Sequence, residues 1–279
     1  MPTYNQLADQ RYKRLIDTLV YRDLEYKLIV RGNSKKIIYK ETEHHFPHIE
    51  KLEGGHLIAD LKDNFEKVFK ANHPDQELYI EPNFQISDFN IPALKSNIGN
   101  IISGIDIVDA HWFTMYILGY MSKGMFIDGL IKDEYKMARN IAIGCLATQE
   151  TIYHYKGKTL LRSETEVIEV VKGGKAIYTD IKNFLWDTFK GVKELIGDDY
   201  LMFYTDCTFV AGHNGEVIKH LRSKGFLTHG DDYIVDSVNE DERKVRLISV
   251  KDQHLYEIAQ RKGDVKDLKN GYREYYFKL

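Results

Sequence analysis

Between Asn5 and Val20 the side chains of Leu7, Tyr12, Leu15, Ile16 and Leu19 recur at helical spacing while Arg, Lys and Asp fill the other positions, which predicts an amphipathic helix. Two short apolar-rich runs, Glu25–Val30 and Lys35–Lys40, flank Arg31-Gly-Asn-Ser and predict a β-hairpin turned at the Gly-Asn pair. Glu41 to Gly55 is polar, ends in Gly-Gly, and reads as a loop. Leu57, Leu61, Phe65, Val68 and Phe69 share one face of a helix over Leu57–Ala71 that stops before Asn72-His-Pro. A short strand at Leu78–Ile80 and an irregular, Pro-containing stretch from Glu81 to Asn97 follow.

The second part of the chain alternates more regularly. Asn100–Ile107 reads as a buried strand, Trp112–Met121 as an apolar helix, and Leu130–Thr148 as a second long helical pattern. Thr151–Tyr155 and Thr165–Val171 read as strands separated by a Gly-Lys turn. Ala176–Ile196 carries one broad apolar stripe ended by Gly197, the mark of a helix packed on a sheet. Leu201–Tyr204 is the next strand, Asn214–Ser223 a helix capped by Asn214 and closed by Gly225, and Val245–Val250 and His254–Ile258 are late β runs. This order predicts an α+β fold, divided into a small α+β region over 1–97 and a second domain over 98–279.

Composition narrows the function. The 279 residues carry 39 Lys and Arg against 42 Asp and Glu, a formal charge of −3, so no global positive field is present to hold nucleic acid or an anionic membrane; any such grip must be local. No apolar run approaches the roughly 20 residues needed to cross a bilayer. The two cysteines, Cys145 and Cys207, form neither a CxxC pair nor a zinc spacing, which fits a reducing compartment. Nineteen Tyr and 13 Phe beside only 5 Pro favour ordered, β-containing structure.

Three segments carry candidate chemistry. In Ile105-Asp106-Ile-Val-Asp109-Ala-His111-Trp112 an apolar strand delivers two carboxylates where it turns into a helix. Oxygen donors of this kind suit Mg²⁺, and Asp109 equally suits the N-cap of the helix. In Lys136-Met-Ala-Arg139-Asn140-Ile-Ala-Ile-Gly144, spacings of four and eight set Lys136, Asn140 and Gly144 along one face with Arg139 beside them. A cationic stripe can hold a triphosphate or a nucleic-acid backbone, and is otherwise a solvated face. In Leu201-Met-Phe-Tyr204-Thr-Asp206-Cys-Thr-Phe-Val210, Asp206 falls at the tip of a hairpin, a turn position Asp also favours for its own reasons.

In this order the segments resemble the palm and fingers of family-B DNA polymerases, particularly the phage and protein-primed branch. The family's first motif reads Asp-x-x-Ser-Leu-Tyr-Pro, its second Lys-x-x-x-Asn-Ser-x-Tyr-Gly and its third Tyr-x-Asp-Thr-Asp-Ser. Here they are Asp106-Ile-Val-Asp-Ala-His-Trp112, Lys136-Met-Ala-Arg-Asn-Ile-Ala-Ile-Gly144 and Tyr204-Thr-Asp-Cys-Thr-Phe209, across roughly residues 98 to 260. Lys251 and Tyr256 stand where the family has a Lys-Tyr element near the primer terminus. His111 replaces the family's sugar-facing Tyr, Ile141 and Ile143 replace the Ser and Tyr of the helix motif, and the metal-binding second Asp of the hairpin falls on Thr208.

The resemblance implies a polymerase-palm-like antiparallel sheet backed by helices, without a proofreading region or a full thumb. It implies Asp106 and Asp206 as catalytic residues, Mg²⁺ held by Asp106, Asp206 and Asp109, and nucleotide contacts from Lys136, Arg139, Asn140, Gly144 and His111. DNA or a primed template and a dNTP are the implied ligands, with a partner protein needed for processive synthesis. The implied setting is the cytoplasm of a bacterial host or a virion, with no membrane. The alternative is a non-catalytic polymerase-derived virion structural, scaffold or interaction protein. His44, His45, His48 and His56 read as a surface loop rather than a metal set, since adjacent histidines cannot face one ion on a regular element. Gly173-Gly174-Lys175 reads as a helix-entry turn, Cys207 as a buried thiol, and the run Tyr272–Phe277 as a strand or docking segment.

Overall fold

A computed structural model of the chain describes residues 3–47, 53–61, 63, 79–168 and 173–250, and the backbone of 272–276. The first half comprises α1 (Tyr4–Tyr21), β1 (Glu25–Arg31), β2 (Ser34–Tyr39), β3 (Thr42–Phe46), α2 (residues 56–61), β4 (Ser87–Phe89), α3 (Ile91–Ser96), β5 (Ile101–Ile107), α4 (Ala110–Ile117), α5 (Lys123–Leu130) and α6 (Lys136–Gly144). Then come β6 (Thr148–Lys156), β7 (Thr159–Ile168), α7 (Gly174–Ile196), β8 (Tyr200–Tyr204), β9 (Cys207–Val210), α8 (Asn214–Ser223), β10 (Thr228–Asn239), β11 (Lys244–Ser249) and β12 (Tyr272–Tyr276). The protein is of the α+β class, and both of its sheets are antiparallel throughout.

Packing divides the chain into two units, Met1–Tyr79 with Met121–Tyr178, and Ile80–Tyr120 with Thr179–Leu279. A single cut between residues 97 and 98 does not describe this arrangement. The reason is strand pairing: β6 runs along β1 in register from Glu25–Lys156 to Val30–Thr151, so residues 121–178 belong with the N-terminal segment. Local composition carries no trace of so distant a ladder.

In the first unit the strand order is β3-β2-β1-β6-β7. A capping box, in which Thr3 accepts from the Gln6 amide and Gln6 accepts from the Thr3 amide, starts α1. Leu19 of α1 packs with Tyr26, Ile37 and Phe46 of the sheet, and Tyr12, Leu15 and Ile16 lie against this cluster. Tyr26 and Tyr155 stack across β1 and β6 at 5.3 Å. The segment 41–55, expected as a loop, contains β3. Its alternation is carried by histidine, with Phe46 and His44 on the residues paired to Lys35 and Ile37, and Glu43 and His45 on the opposite parity. The long helix expected over Leu130–Thr148 is broken, because Lys132 is extended and 3₁₀ turns at Asp133–Tyr135 and Cys145–Ala147 flank the nine-residue α6. Gly173 has φ +76, and the Gly174 Cα lies so close to Leu146 that a Cβ would meet its carbonyl oxygen at 2.7 Å; this is the helix-entry turn before α7.

In the second unit the order is β12-β11-β10-β5-β9-β8-β4. One face buries Ile102, Met202, Phe209, Tyr233, Val235 and Leu247 together with Leu94 of α3. Against the other face lies α7, whose Phe189 stacks on Phe203 at 4.1 Å beside Trp186. β10, twelve residues long, joins β5 to β11 and was not expected. Its opening His-Gly-Asp-Asp resembles a turn, yet the ladder to β5 holds it extended, and the ladder to β11 takes over from Tyr233. Helix α8 is capped at His213, in the left-handed region with φ 59, rather than by Asn214, whose amide donates to Ser103 Oγ at 2.6 Å. The expected run over His254–Ile258, with Lys251 and Tyr256, and the positions His48, 64–71 and 78 lie outside the described residues. Among the described residues, no helix is long and apolar enough to cross a membrane.

Candidate functional site

Paired residues of an antiparallel ladder share a face, so register decides which side chains converge. Asp106, half-buried near the end of β5, stands opposite Cys207 of β9 and opposite His229 of β10. Two residues farther along β10 on the same face is Asp231, and His229 Nε2 lies 3.3 Å from its Oδ2. Asp106, His229 and Asp231 therefore form one polar end of the face whose interior is the Phe209–Tyr233 cluster. Gly104 is the residue paired with Asp231; a Cβ there would lie 2.7 Å from the Tyr233 ring and 2.9 Å from that of Phe209. The aromatic rings occupy that space and floor the polar end.

Asp206 arrives from the neighbouring hairpin. The two-residue turn Thr205-Asp206 joins β8 to β9, with Thr205 at φ 56. It is held by Thr205 N–H donating to Ile86 O at 2.8 Å and by Ile107 N–H donating to Asp206 O at 3.0 Å. The second bond docks the turn on the end of β5, immediately beside Asp106. Thr205 Oγ1 donates to Asp206 Oδ1 at 2.7 Å, which orients the carboxylate. Burial lowers the pKa of the Lys182 ammonium of α7, and the Asp206 charge works in the opposite direction. Burial also lowers His111 to about 4, with the Lys182 charge adding to the effect. At neutral pH His111 is an uncharged imidazole close to a cation.

The expected residues are distributed as follows. Asp106, Asp109, His111 and Asp206 all belong to the second unit, whereas Lys136, Arg139, Asn140 and Gly144 belong to the first. Asp109 occupies the N-cap position of α4, but at φ 47 and without a side-chain capping bond, so the capping role expected of its carboxylate is not made. On α6, Lys136, Asn140 and Gly144 are exposed along one face as the spacing predicts. Arg139 departs from the expected nucleotide-facing role: it is 4% exposed and its Nη1 donates to Gly129 O at 2.5 Å, because its position on the helix shares the buried side with Ala138, Ala142 and Ile143.

Thr208, where the resemblance implied a metal-binding acid, is fully buried, is paired with Ile105 and Phe203, and donates to Met202 O at 3.4 Å. It sits on the α7 side of the sheet, the opposite face from Asp106. The residues that do share the Asp106 face, His229 and Asp231, were missed along with β10. The alternation His229-x-Asp231-x-Tyr233-x-Val235 was the available signal. Lys182 was concealed as one polar position on a long amphipathic helix.

A separate grouping lies in the first unit, where ligand atoms of His56, Asp60 and Asp128 fall within 4.8 Å of one another and His56 Nε2 is 2.8 Å from Asp128 Oδ2. His56 and Asp60 are exposed and Asp128 is half-buried, and a hydrogen-bonded His–Asp pair of this kind is common on protein surfaces without a metal. His44 and His45 point to opposite faces of β3.

Comparison of the chain with protein-family models, curated proteins and solved structures finds no match. Fold and site together define an α+β protein with an acidic and imidazole-bearing end on one face of an antiparallel sheet whose other face is backed by a long helix.

Proposed function

We propose that the second unit is a reduced, polymerase-palm-like domain for divalent-cation-dependent nucleotidyl transfer on DNA. The observation that carries the reading is the docking of the Thr205-Asp206 turn on β5 beside Asp106, on a sheet backed by α7. Carboxylate oxygens from Asp106, Asp206 and Asp231 fit a hard cation such as Mg²⁺; with Thr208 facing away, Asp231 is the additional acid in place of the hairpin's second one. The cation, when bound, would neutralise phosphate charge and polarise the transferred group. Asp106 and Asp231 would hold it, Thr205 would fix the Asp206 rotamer, and Lys182 would set a positive charge near Asp206. In the first unit, the exposed Lys136, Asn140 and Gly144 supply a charge and a close approach suited to a nucleotide, and Arg139 anchors α6. Processive synthesis would require a partner protein, given the net charge of −3, in a phage or mobile-element setting.

Extension of a primed template with dNTP and Mg²⁺ or Mn²⁺ tests this. The full chain should extend the primer, Asp106→Asn should lose at least about a hundredfold of the rate as an electrostatic ligand is removed, and Asp231→Asn should weaken Mn²⁺ binding measured by electron paramagnetic resonance. Absence of both extension and dNTP binding by the full chain overturns the enzyme reading. One observation favours the second reading, a non-catalytic structural or scaffold descendant: the position aligned with the metal-binding acid is a threonine committed to the core. Fold and activity separate readily in this way.

A further inference from the structure

The grip that an overall negative chain must make locally has a candidate in the first unit. Between α1 and β3 runs an open groove of about 340 Å³ lined by Arg11, Arg14, Leu15, Thr18, His44 and Phe46. Arg11 and Arg14 are exposed and three residues apart on α1, so their guanidinium groups lie on one side of the helix. Among the described residues neither guanidinium has an ion-pair or hydrogen-bond partner, and no carboxylate lines the groove. The α1 acids Asp9 and Asp17 lie outside its lining, and Glu43 has the opposite strand parity to His44. Lys35, over the Tyr12 ring at 4.4 Å and paired with Phe46, adds a further cation nearby.

Two unpaired guanidinium groups in a groove without a counter-charge are matched to a planar or tetrahedral oxyanion, which Arg binds through parallel N–H donors. The shape decides which. The groove is open rather than enclosed, so it suits a chain passing through, and its floor of Leu15 and Phe46 is apolar. Such a floor accommodates sugar and base faces, which a single strand exposes and a duplex or an acidic peptide does not present. We propose that the α1–β3 groove binds the phosphodiester backbone of single-stranded nucleic acid. The proposal stands on residues of the first unit alone and does not require Asp106 or Asp206 to be catalytic.

The test is fluorescence anisotropy of a labelled 12-nucleotide oligothymidylate with the full chain over a range of salt concentrations. The wild type should bind with an affinity that falls as salt rises. Arg11→Gln with Arg14→Gln should weaken binding at least fivefold at low salt and reduce the log–log salt slope by about 1.4, two contacts at roughly 0.7 each for single strands. Lys13→Gln with Arg22→Gln, the same change of charge on residues outside the groove, should leave affinity within twofold, and Asp106→Asn should also bind normally. Thermal unfolding of each variant should match the wild type, since the substituted side chains are exposed. Equal losses in the two double variants, no binding by the full chain, or equal competition by a 12-base-pair duplex, poly-glutamate or thymidine monophosphate would each overturn the proposal.

Discussion

Asp106 and Thr208 occupy hydrogen-bonded neighbouring strands yet stand on opposite faces of the sheet: Asp106 pairs with Cys207, and Thr208 pairs with Ile105. A one-residue difference in parity thus separates a half-buried carboxylate at the polar end from a hydroxyl committed to the core under α7. Restoring a carboxylate by Thr208→Asp should not add a metal ligand to the site. It should destabilise the fold by about 3 kcal/mol or more, since an unpaired charge would be buried, whereas Thr208→Val should cost only about 1 kcal/mol for the lost bond to Met202. Urea unfolding of the two variants checks the difference.

Gly104 offers a second probe of the same face. Its missing Cβ leaves room for the rings of Phe209 and Tyr233, which meet at 5.6 Å with planes 64° apart. Gly104→Ala should cost about 1–3 kcal/mol by overpacking. The loss should be accompanied by a changed near-ultraviolet circular dichroism signal from Tyr233, and an unchanged melting temperature would contradict the packing described.

The pH dependence of stability should carry a signature of His111. Its pKa falls from 6.5 unfolded to about 4 folded, so the unfolded chain binds the proton more readily. Stability from this group is fully present above pH 6.5 and is lost as pH falls toward 4, with a total on the order of 3 kcal/mol. Denaturation midpoints between pH 7 and pH 4.5 should therefore fall, and His111→Gln should flatten that part of the profile.

Gly144 closes α6 in ordinary right-handed geometry, φ −60, and a Cβ there would meet nothing within 4 Å. Nothing in the packing requires glycine. Gly144→Ala should stabilise the protein by about 0.4–1 kcal/mol through the unfolded state. Under the proposed nucleotide role the same variant should bind dNTP more weakly, measured by calorimetry; gain of stability with unchanged dNTP binding would remove Gly144 from that role.

Periodicity alone located α1, the β1–β2 hairpin, β5, α7, β8 and α8, because each buries one stripe or one face and must repeat apolar residues at 3.6 or 2. The strand end bearing Asp106 and the turn bearing Asp206 were legible for the same reason. The linear pattern could not give the strand pairings: β6 joining β1, which makes both units discontinuous, and β10 inserting beside β5. Those ladders satisfy backbone groups over separations of more than a hundred residues and leave no local periodic mark. The face assignments followed from them. Register, absent from the sequence, turned Thr208 into the core and brought His229 and Asp231 beside Asp106, and the packing of one side of α6 drew Arg139 inward. The sequence by itself determined which segments are helix or strand and that the chain holds no global positive field; only the tertiary structure decided which charged groups meet, because a side chain's partners are set by pairing between distant strands rather than by its neighbours in the chain.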